Sequence, residues 1–236
     1  MNIVLINGTE VKGCTYHIKN MFLDELREGN RITEFYLPKD CPYFCSGCKT
    51  CFFVDENKCP HAKFTIPIWN AIIQADLLIF AYPVYVLRAP GQIKSLLDHF
   101  SVHWMVHRPK EEMFTKRAVI LTQSIGAPNR SAQNDVATSL SWWGISDIKK
   151  IGFGLIEHVI WEKISERRKK IIKTKIKKIV NKYGKKSNVH KSIKHYILFS
   201  ICKILHQNTL KNENPISADN KYWLEKKWIK KKKCVK

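Results

Sequence analysis

Short apolar runs alternate with segments of helical period along this chain of 236 residues, the pattern of an α/β fold built on a parallel sheet. Residues 2–7 form a compact apolar run ended by Gly8 and read as a buried first strand. Thr15 is the expected N-cap of a helix reaching about Glu28, with Ile18, Met21, Phe22 and Leu26 on its apolar face. Residues 31–37 read as a second strand stopped by Pro38, and a helix is expected over 66–74. Asp76 to Tyr82, DLLIFAY, predicts a central strand covered on both faces. Pro90-Gly91 opens a helix with Ile93, Leu96, Leu97 and Phe100 on one side. Residues 117–122 read as a fourth strand, 131–143 as a helix and 148–156 as a fifth strand, weakened by Gly152 and Gly154. Five strands with crossover helices fit a doubly wound parallel sheet in the order 2-1-3-4-5, with helices on both faces.

From Ile160 the helical period returns, with Ile164, Ile171, Ile172, Ile176, Ile179 and Val180 as the apolar stripe, and stops near Gly184. After the polar stretch 185–191, residues 192–206 suit one more amphipathic helix, and the rest reads as an irregular tail with a short helix. No internal repeat is present. The expected organisation is a main domain over 1–184, carrying a cysteine-rich insert at 41–61, followed by a basic helical C-terminal extension over 185–236.

An apolar content of 44% supports a packed body. The formal charge of +21 raises the question of nucleic acid. Its placement answers against a specific nucleic-acid partner. Much of the excess lies after Trp161, in the runs 167–170 and 230–233, while the first 150 residues are far closer to balance. A solvated lysine-rich helix face is the expected reading, with attraction to an anionic membrane surface or RNA as the second. Met1-Asn2 runs straight into Ile3–Ile6, too short for a secretion leader, and no apolar run reaches the length of a membrane span. The chain is therefore expected to be cytoplasmic, with no transmembrane span.

In a doubly wound sheet ligands bind outside the carboxyl ends of the strands, so the loops after strands one, three and four carry the candidate chemistry. After strand one, Gly8 and Gly13 permit tight turns, the hydroxyls of Thr9 and Thr15 can donate to phosphate oxygens, and Lys12 adds charge at a helix start that supplies N–H groups. The loop matches neither a Walker A sequence nor Gly-x-Gly-x-x-Gly. After strand three, Tyr82-Pro83-Val84-Tyr85 is a rigid turn offering backbone groups and two aromatic rings.

Five of the eight cysteines lie between Cys41 and Cys59, which in a chain without a secretion signal points to metal or redox chemistry rather than a disulfide framework. Cys45-x2-Cys48-x2-Cys51, then Cys59, resembles ferredoxin-type ligand runs; the two separated knuckles of structural zinc fit less well. Thiols that simply pack or take part in redox exchange remain the alternative. Cys41 and His61 are spare ligands, and Cys14, Cys202 and Cys234 stand apart. His99, His103 and His107 share one face if their helix continues that far, as expected of a packing or substrate-cleft role, with Trp104 and His107-Arg108-Pro109 beside the ligand.

Taken in order, the first-strand Gly-Thr loop, the cysteine cluster, Pro83-Val84-Tyr85 and Gly91-x-x-Lys94-x-x-x-Asp98 resemble the NAD(P)H-dependent FMN reductase family, which is flavodoxin-like, and within it the iron–sulfur flavoproteins. The resemblance covers about residues 1–155. It implies that Thr9, Lys12, Gly13 and Thr15, with backbone from Cys14, hold the FMN phosphate. It places Tyr82, Pro83, Val84 and Tyr85 beside the isoalloxazine, with Thr122, Gln123, Ser124 and Gly126 closing over its other edge. Thr9-Glu10-Val11 departs from the Ser-Pro-Arg common in relatives. The segment 219–228 also resembles a tail of such flavoproteins, where Tyr222 and two tryptophans are expected to pack on the body.

The same resemblance implies FMN as cofactor, NAD(P)H as co-substrate and a 4Fe-4S cluster on Cys45, Cys48, Cys51 and Cys59. Electrons would pass to a small-molecule acceptor or a redox protein with no side chain acting as nucleophile or base, in a homodimer or larger assembly. The alternatives are an FMN electron carrier that does not turn over a nicotinamide, and a basic protein binding nucleic acid or a membrane surface.

Overall fold

The computed structural model describes residues 1–157, 160–187, 189 and 192–231. Cys234, the end of the lysine run at 230–233 and part of the polar stretch 185–191 lie outside the described residues. The strands are β1 (Asn2–Asn7), β2 (Arg31–Tyr36), β3 (Leu77–Pro83), β4 (Arg117–Ser124) and β5 (Asp147–Gly154). They form one sheet in the order β2-β1-β3-β4-β5, every pairing parallel. The helices are α1 (Cys14–Asp24), α2 (Thr50–Phe53), α3 (Ala62–Gln74), α4 (Gly91–His99), α5 (Arg130–Trp143), α6 (Glu166–Tyr183), α7 (Ile193–Thr209) and α8 (Ala218–Glu225).

Side chains alternate across a strand, and the sheet sorts them into two cores. Ile3, Leu5, Ile79 and Val119 meet Ile18 and Phe22 of α1 and Ile172 and Ile176 of α6. Val4, Ile6, Phe80 and Ile120 meet α3, α4 and α5 through Trp69, Leu96 and Leu140. Because both faces are covered, β4 is buried along its whole length, as expected of a central parallel strand.

A third cluster joins α7 and α8 to the segment after α4, with Met105, Phe114, Cys202, Trp223 and Ile229 at its centre. The Trp223 indole donates to the His107 carbonyl at 2.6 Å and the Tyr222 hydroxyl to that of Pro109 at 2.5 Å. The expected packing of the tail aromatics is thus present.

Three helix starts differ from the sequence pattern. α1 is preceded by Gly13 rather than Thr15 at its N-cap and ends at Asp24 rather than near Glu28. Thr15 lies in its first turn, with its hydroxyl donating to Gln123. α3 begins at Ala62 rather than Ile66, with Pro67 inside it, because Phe64 packs on the core and supports an extra turn ahead of the proline. The helix expected from Ile160 is delayed to Glu166, where the Ser165 hydroxyl accepts the Arg168 N–H at 3.3 Å and caps it.

Candidate functional site

The loops after β1, β3 and β4 leave the carboxyl edge of the sheet side by side and are tied to one another. Gly8 is packed so closely that a Cβ there would lie 2.6 Å from that of Tyr82, so only glycine fits. Its N–H donates to the Ala81 carbonyl at 2.8 Å, and its carbonyl accepts from the Gln92 amide at 2.7 Å. The Val84 N–H donates to the Gln123 carbonyl at 2.7 Å, and the Thr15 hydroxyl to the Gln123 side chain at 3.3 Å.

Gly13 stands at the N-cap of α1, no side chain caps the helix and no acid lies in its first turn. First-turn N–H groups have no acceptor within a helix, and with the positive end of the dipole a helix start can receive an anion. The Glu10 carboxylate accepts from the Lys39 backbone N–H at 3.1 Å and is thereby held towards the turn after β2. Thr9 accepts from the Val11 N–H at 3.1 Å, which shapes the loop and leaves its own hydroxyl proton available to donate.

After β3 the chain makes a tight reversal in which Tyr85 and Arg88 exchange two backbone hydrogen bonds of 3.0 and 2.8 Å. The two residues at its tip, Val86 and Leu87, sit at φ 48° and 62°, a region costly for β-branched and bulky side chains. Asp135 holds the reversal by accepting the Ala89 N–H at 3.0 Å and pairing with Arg88 at 2.6 Å. Val86 is left 94% exposed. After β4, Ser124 donates to the Ala127 carbonyl at 2.6 Å, and Gly126 takes φ +77° to turn the loop.

Thr9, Lys12, Gly13, Pro83, Val84, Tyr85 and Gly126 are at least partly accessible around these loops, whereas Cys14, Thr15, Gln123 and Ser124 are buried beneath them. Tyr82 and Thr122 differ from expectation. The Tyr82 side chain is fully buried and its hydroxyl donates to the Ala132 carbonyl at 2.8 Å, while the Thr122 hydroxyl accepts from Gln133 at 2.9 Å. Even-numbered positions of β3 and β4 face the core under α5, so both residues offer only backbone to a ligand. Of Tyr82 and Tyr85, Tyr85 is the one whose ring is exposed.

Beneath α1 lies a network invisible in the sequence. Lys19, 2% exposed, pairs with Glu34 at 2.8 Å and donates to Tyr36 at 3.1 Å, while the Asn7 amide reaches Glu34 at 3.2 Å. Burial pushes the Glu34 carboxyl up, but the hydrogen bonds from Lys19 and Tyr36, the Lys19 charge and the Asn7 amide outweigh it and hold the group below its ordinary 4.5. The partners come from α1, β1 and β2, so no local pattern announces them.

Cys45, Cys48, Cys51 and Cys59 line one cavity of about 300 Å³, together with His61 and His99. Burial raises the Cys51 thiol, followed by the charges of Cys59, Cys45 and Cys48, which places all four sulfurs in one electrostatic neighbourhood. Hydrogen bonds from Thr50 lower the exposed Cys48 thiol. Cys41 is buried outside the cavity, its thiol pushed up to about 11 by burial and by Cys59. Among the described residues no three His, Cys, Asp or Glu groups stand in ready-made metal geometry.

The three histidines do not share a face. α4 ends at His99, whose Nε2 lies 3.1 Å from Nδ1 of His61. His103 is stacked on Trp69 with ring centroids 3.8 Å apart, and burial drives it well below its usual pKa. His107 pairs with Asp219 at 2.8 Å. Trp104 stacks on Trp142, and Arg108 is buried between Glu56 at 3.2 Å and Asp219 at 3.3 Å while donating to the Cys51 carbonyl. His107 and Arg108 thereby link the cysteine-rich segment to α8.

Fold and loops together define a flavodoxin-like α/β protein with the loops after β1, β3 and β4 gathered at one edge of the sheet. Residues 1–157 match the NADPH-dependent FMN reductase family, and the chain belongs to that family. An iron–sulfur flavoprotein of Archaeoglobus fulgidus is 28% identical over 116 residues, 48% of this chain and 50% of that protein. The match thus spans half the length of that relative. Among solved structures, an azoreductase of Bacillus anthracis superposes with a TM-score of 0.61 at 15% identity, covering 78% of this chain and all of its own. An NAD(P)H:quinone oxidoreductase of Methanothermobacter marburgensis gives 0.56 at 14% identity, covering 75% of this chain and 93% of its own. At such identities the two likenesses define the fold.

Proposed function

We propose that the chain binds FMN at the carboxyl edge of the sheet and moves reducing equivalents from NAD(P)H to an acceptor. The observation that carries this reading is the uncapped α1 N-terminus standing beside the joined β3 and β4 loops. Bound FMN supplies the acceptance of a hydride and the onward transfer of its two electrons. The chain's residues bind and orient. Thr9 and Lys12, with the backbone N–H groups of Gly13, Cys14 and Thr15, would hold the phosphate against the α1 dipole, the Thr15 hydroxyl being taken by Gln123. Tyr85 provides a ring face, and the backbone of Tyr82, Pro83 and Val84 supplies polar groups to one edge. Gln123, Ser124 and Gly126, with the Thr122 backbone, supply the other. The buried Thr15–Gln123 contact fixes the distance between the two sides. The exposed apolar tips Val86, Leu87, Ile125 and Ile156 exclude water in a homodimer, which belongs to the same proposal.

The donor set of the cysteine cavity fits an iron–sulfur cluster, because four thiols surround one space of suitable chemistry. Cys45, Cys48, Cys51 and Cys59 would hold it and provide a one-electron path to a redox protein.

The test is an absorption spectrum of anaerobically purified protein, with iron measured on the same sample and NADPH then added. Flavin absorbance that NADPH bleaches supports the enzyme. Flavin that neither NADH nor NADPH reduces supports a carrier instead. Protein that is colourless and takes up no added FMN overturns the reading.

A further inference from the structure

α7 is buried on one side and apolar on the other. His195, Cys202 and His206 face the protein, and Leu198 and Phe199 pack on the third core. On the opposite side Ile193, Ile197, Ile201 and Ile204 recur at helical spacing, flanked by Tyr196 and Leu205, and stand 80%, 52%, 48%, 60%, 69% and 50% exposed respectively. At 100° per residue these positions form one stripe centred near Ile204, directly across the helix from Cys202. Lys194 borders it on one side and Lys203 on the other, both exposed. Long lysine stems can lie along apolar surface while their ammonium groups reach a polar layer. A helix with an aliphatic stripe and a lysine near either edge has the pattern of a segment lying in a membrane interface.

The surroundings carry the same sign. From residue 185 onward the chain has fourteen lysines against three carboxylates. Lys150 of β5 is held below its usual range first by burial, then by Arg130 of α5 and Lys194, so cations from three elements gather at the start of the stripe. Contiguous exposed apolar surface on a folded protein marks an interaction site.

We propose that the exposed face of α7 docks the protein reversibly on an anionic lipid bilayer, with the isoleucine stripe at the acyl boundary and the flanking lysines among the headgroups. Charge decides among occupants. A second copy of this chain would bring an equally basic surface against the stripe, whereas an anionic bilayer neutralises it, each lysine near the surface adding to binding. RNA would meet the charge but leaves an aliphatic stripe unused, since single-stranded bases stack on aromatic rings. No helix among the described residues is long and apolar enough to cross a membrane, so docking here is peripheral.

The test uses the full chain and sedimentation with vesicles of phosphatidylcholine alone or with about one-third phosphatidylserine. The protein is expected to sediment with the anionic vesicles and not with the neutral ones. Ile197→Asp with Ile204→Asp is expected to lower the partition coefficient about ten-fold or more, and Lys194→Glu with Lys203→Glu to lower it in the same direction. All four positions are exposed, so circular dichroism and melting temperature should match the parent protein. Three results overturn the proposal: no binding to anionic vesicles, binding unchanged by the aspartates, or a dimer in sedimentation velocity that the aspartates split. Binding to single-stranded RNA that exceeds vesicle binding and survives the aspartates also overturns it. None of these readouts depends on FMN, so the outcome is independent of the flavin reading.

Discussion

Placing a carboxylate at Gly13 tests the phosphate site because it separates helix stability from flavin affinity. Gly13 has φ −94° and ψ −158°, ordinary extended backbone, and a Cβ there meets nothing closer than Val11 Cγ1 at 3.9 Å. Gly13→Asp therefore introduces no strain. As an N-cap the aspartate accepts a first-turn N–H and complements the dipole, raising the stability of the FMN-free protein by about 0.5–1 kcal/mol. The same carboxylate competes with the FMN phosphate for those N–H groups and repels it. Two unit charges about 5 Å apart interact by roughly 1–3 kcal/mol at effective dielectrics between about 20 and 60, so FMN affinity should fall about ten- to one-hundred-fold. Gly13→Asn caps without charge and should fall between the two. Urea denaturation followed by circular dichroism reads the first effect, and quenching of flavin fluorescence on titration reads the second. Should Gly13→Asp leave FMN affinity within about three-fold of the parent, the phosphate does not sit at this helix start.

The Lys19–Glu34 pair predicts a pH-dependent loss. Lys19→Met leaves a half-buried carboxylate with fewer partners and should cost about 1–3 kcal/mol at pH 7, discounted from a fully buried pair because Glu34 is partly exposed. A carboxyl held below its unfolded pKa contributes stability above that value and loses it as pH falls through the folded pKa. The gap between parent and variant in urea titrations should therefore close below about pH 4, and a gap equal at pH 7 and pH 3 contradicts the assignment. Val86→Asn with Leu87→Gly relieves two left-handed residues and should raise stability by about 1 kcal/mol; a decrease in the denaturation midpoint would show that these side chains make contacts worth more than the strain. Trp223→Ala removes a fully buried ring and should cost about 3 kcal/mol or more, read by limited proteolysis as early cleavage in α7 and α8; unchanged cleavage refutes the packing role.

Short continuous apolar runs such as Leu77–Tyr82 marked the five strands, because a parallel sheet covered on both faces demands them, and the doubly wound fold they fit gave the order that the sheet has. The sequence also marked the three loops at the carboxyl edge, through Gly8, Gly13 and Pro83 at or beyond the ends of apolar runs. Tertiary structure decided what each side chain does there. Tyr82 looks like a ligand ring in the sequence, but its place in the strand turns it under α5. His99, His103 and His107 have helical spacing, yet the helix ends at the first of them and three different neighbours take them up. Lys19 reads as a surface lysine until β2 brings Glu34 and Tyr36 beneath it. The stripe on α7 was legible as an amphipathic helix, but which face is covered depended on Trp223 and Phe114 packing against the side of Cys202 and Phe199. Local backbone preferences are written in neighbouring residues; partners distant along the chain meet only when the sheet and its helices close around them.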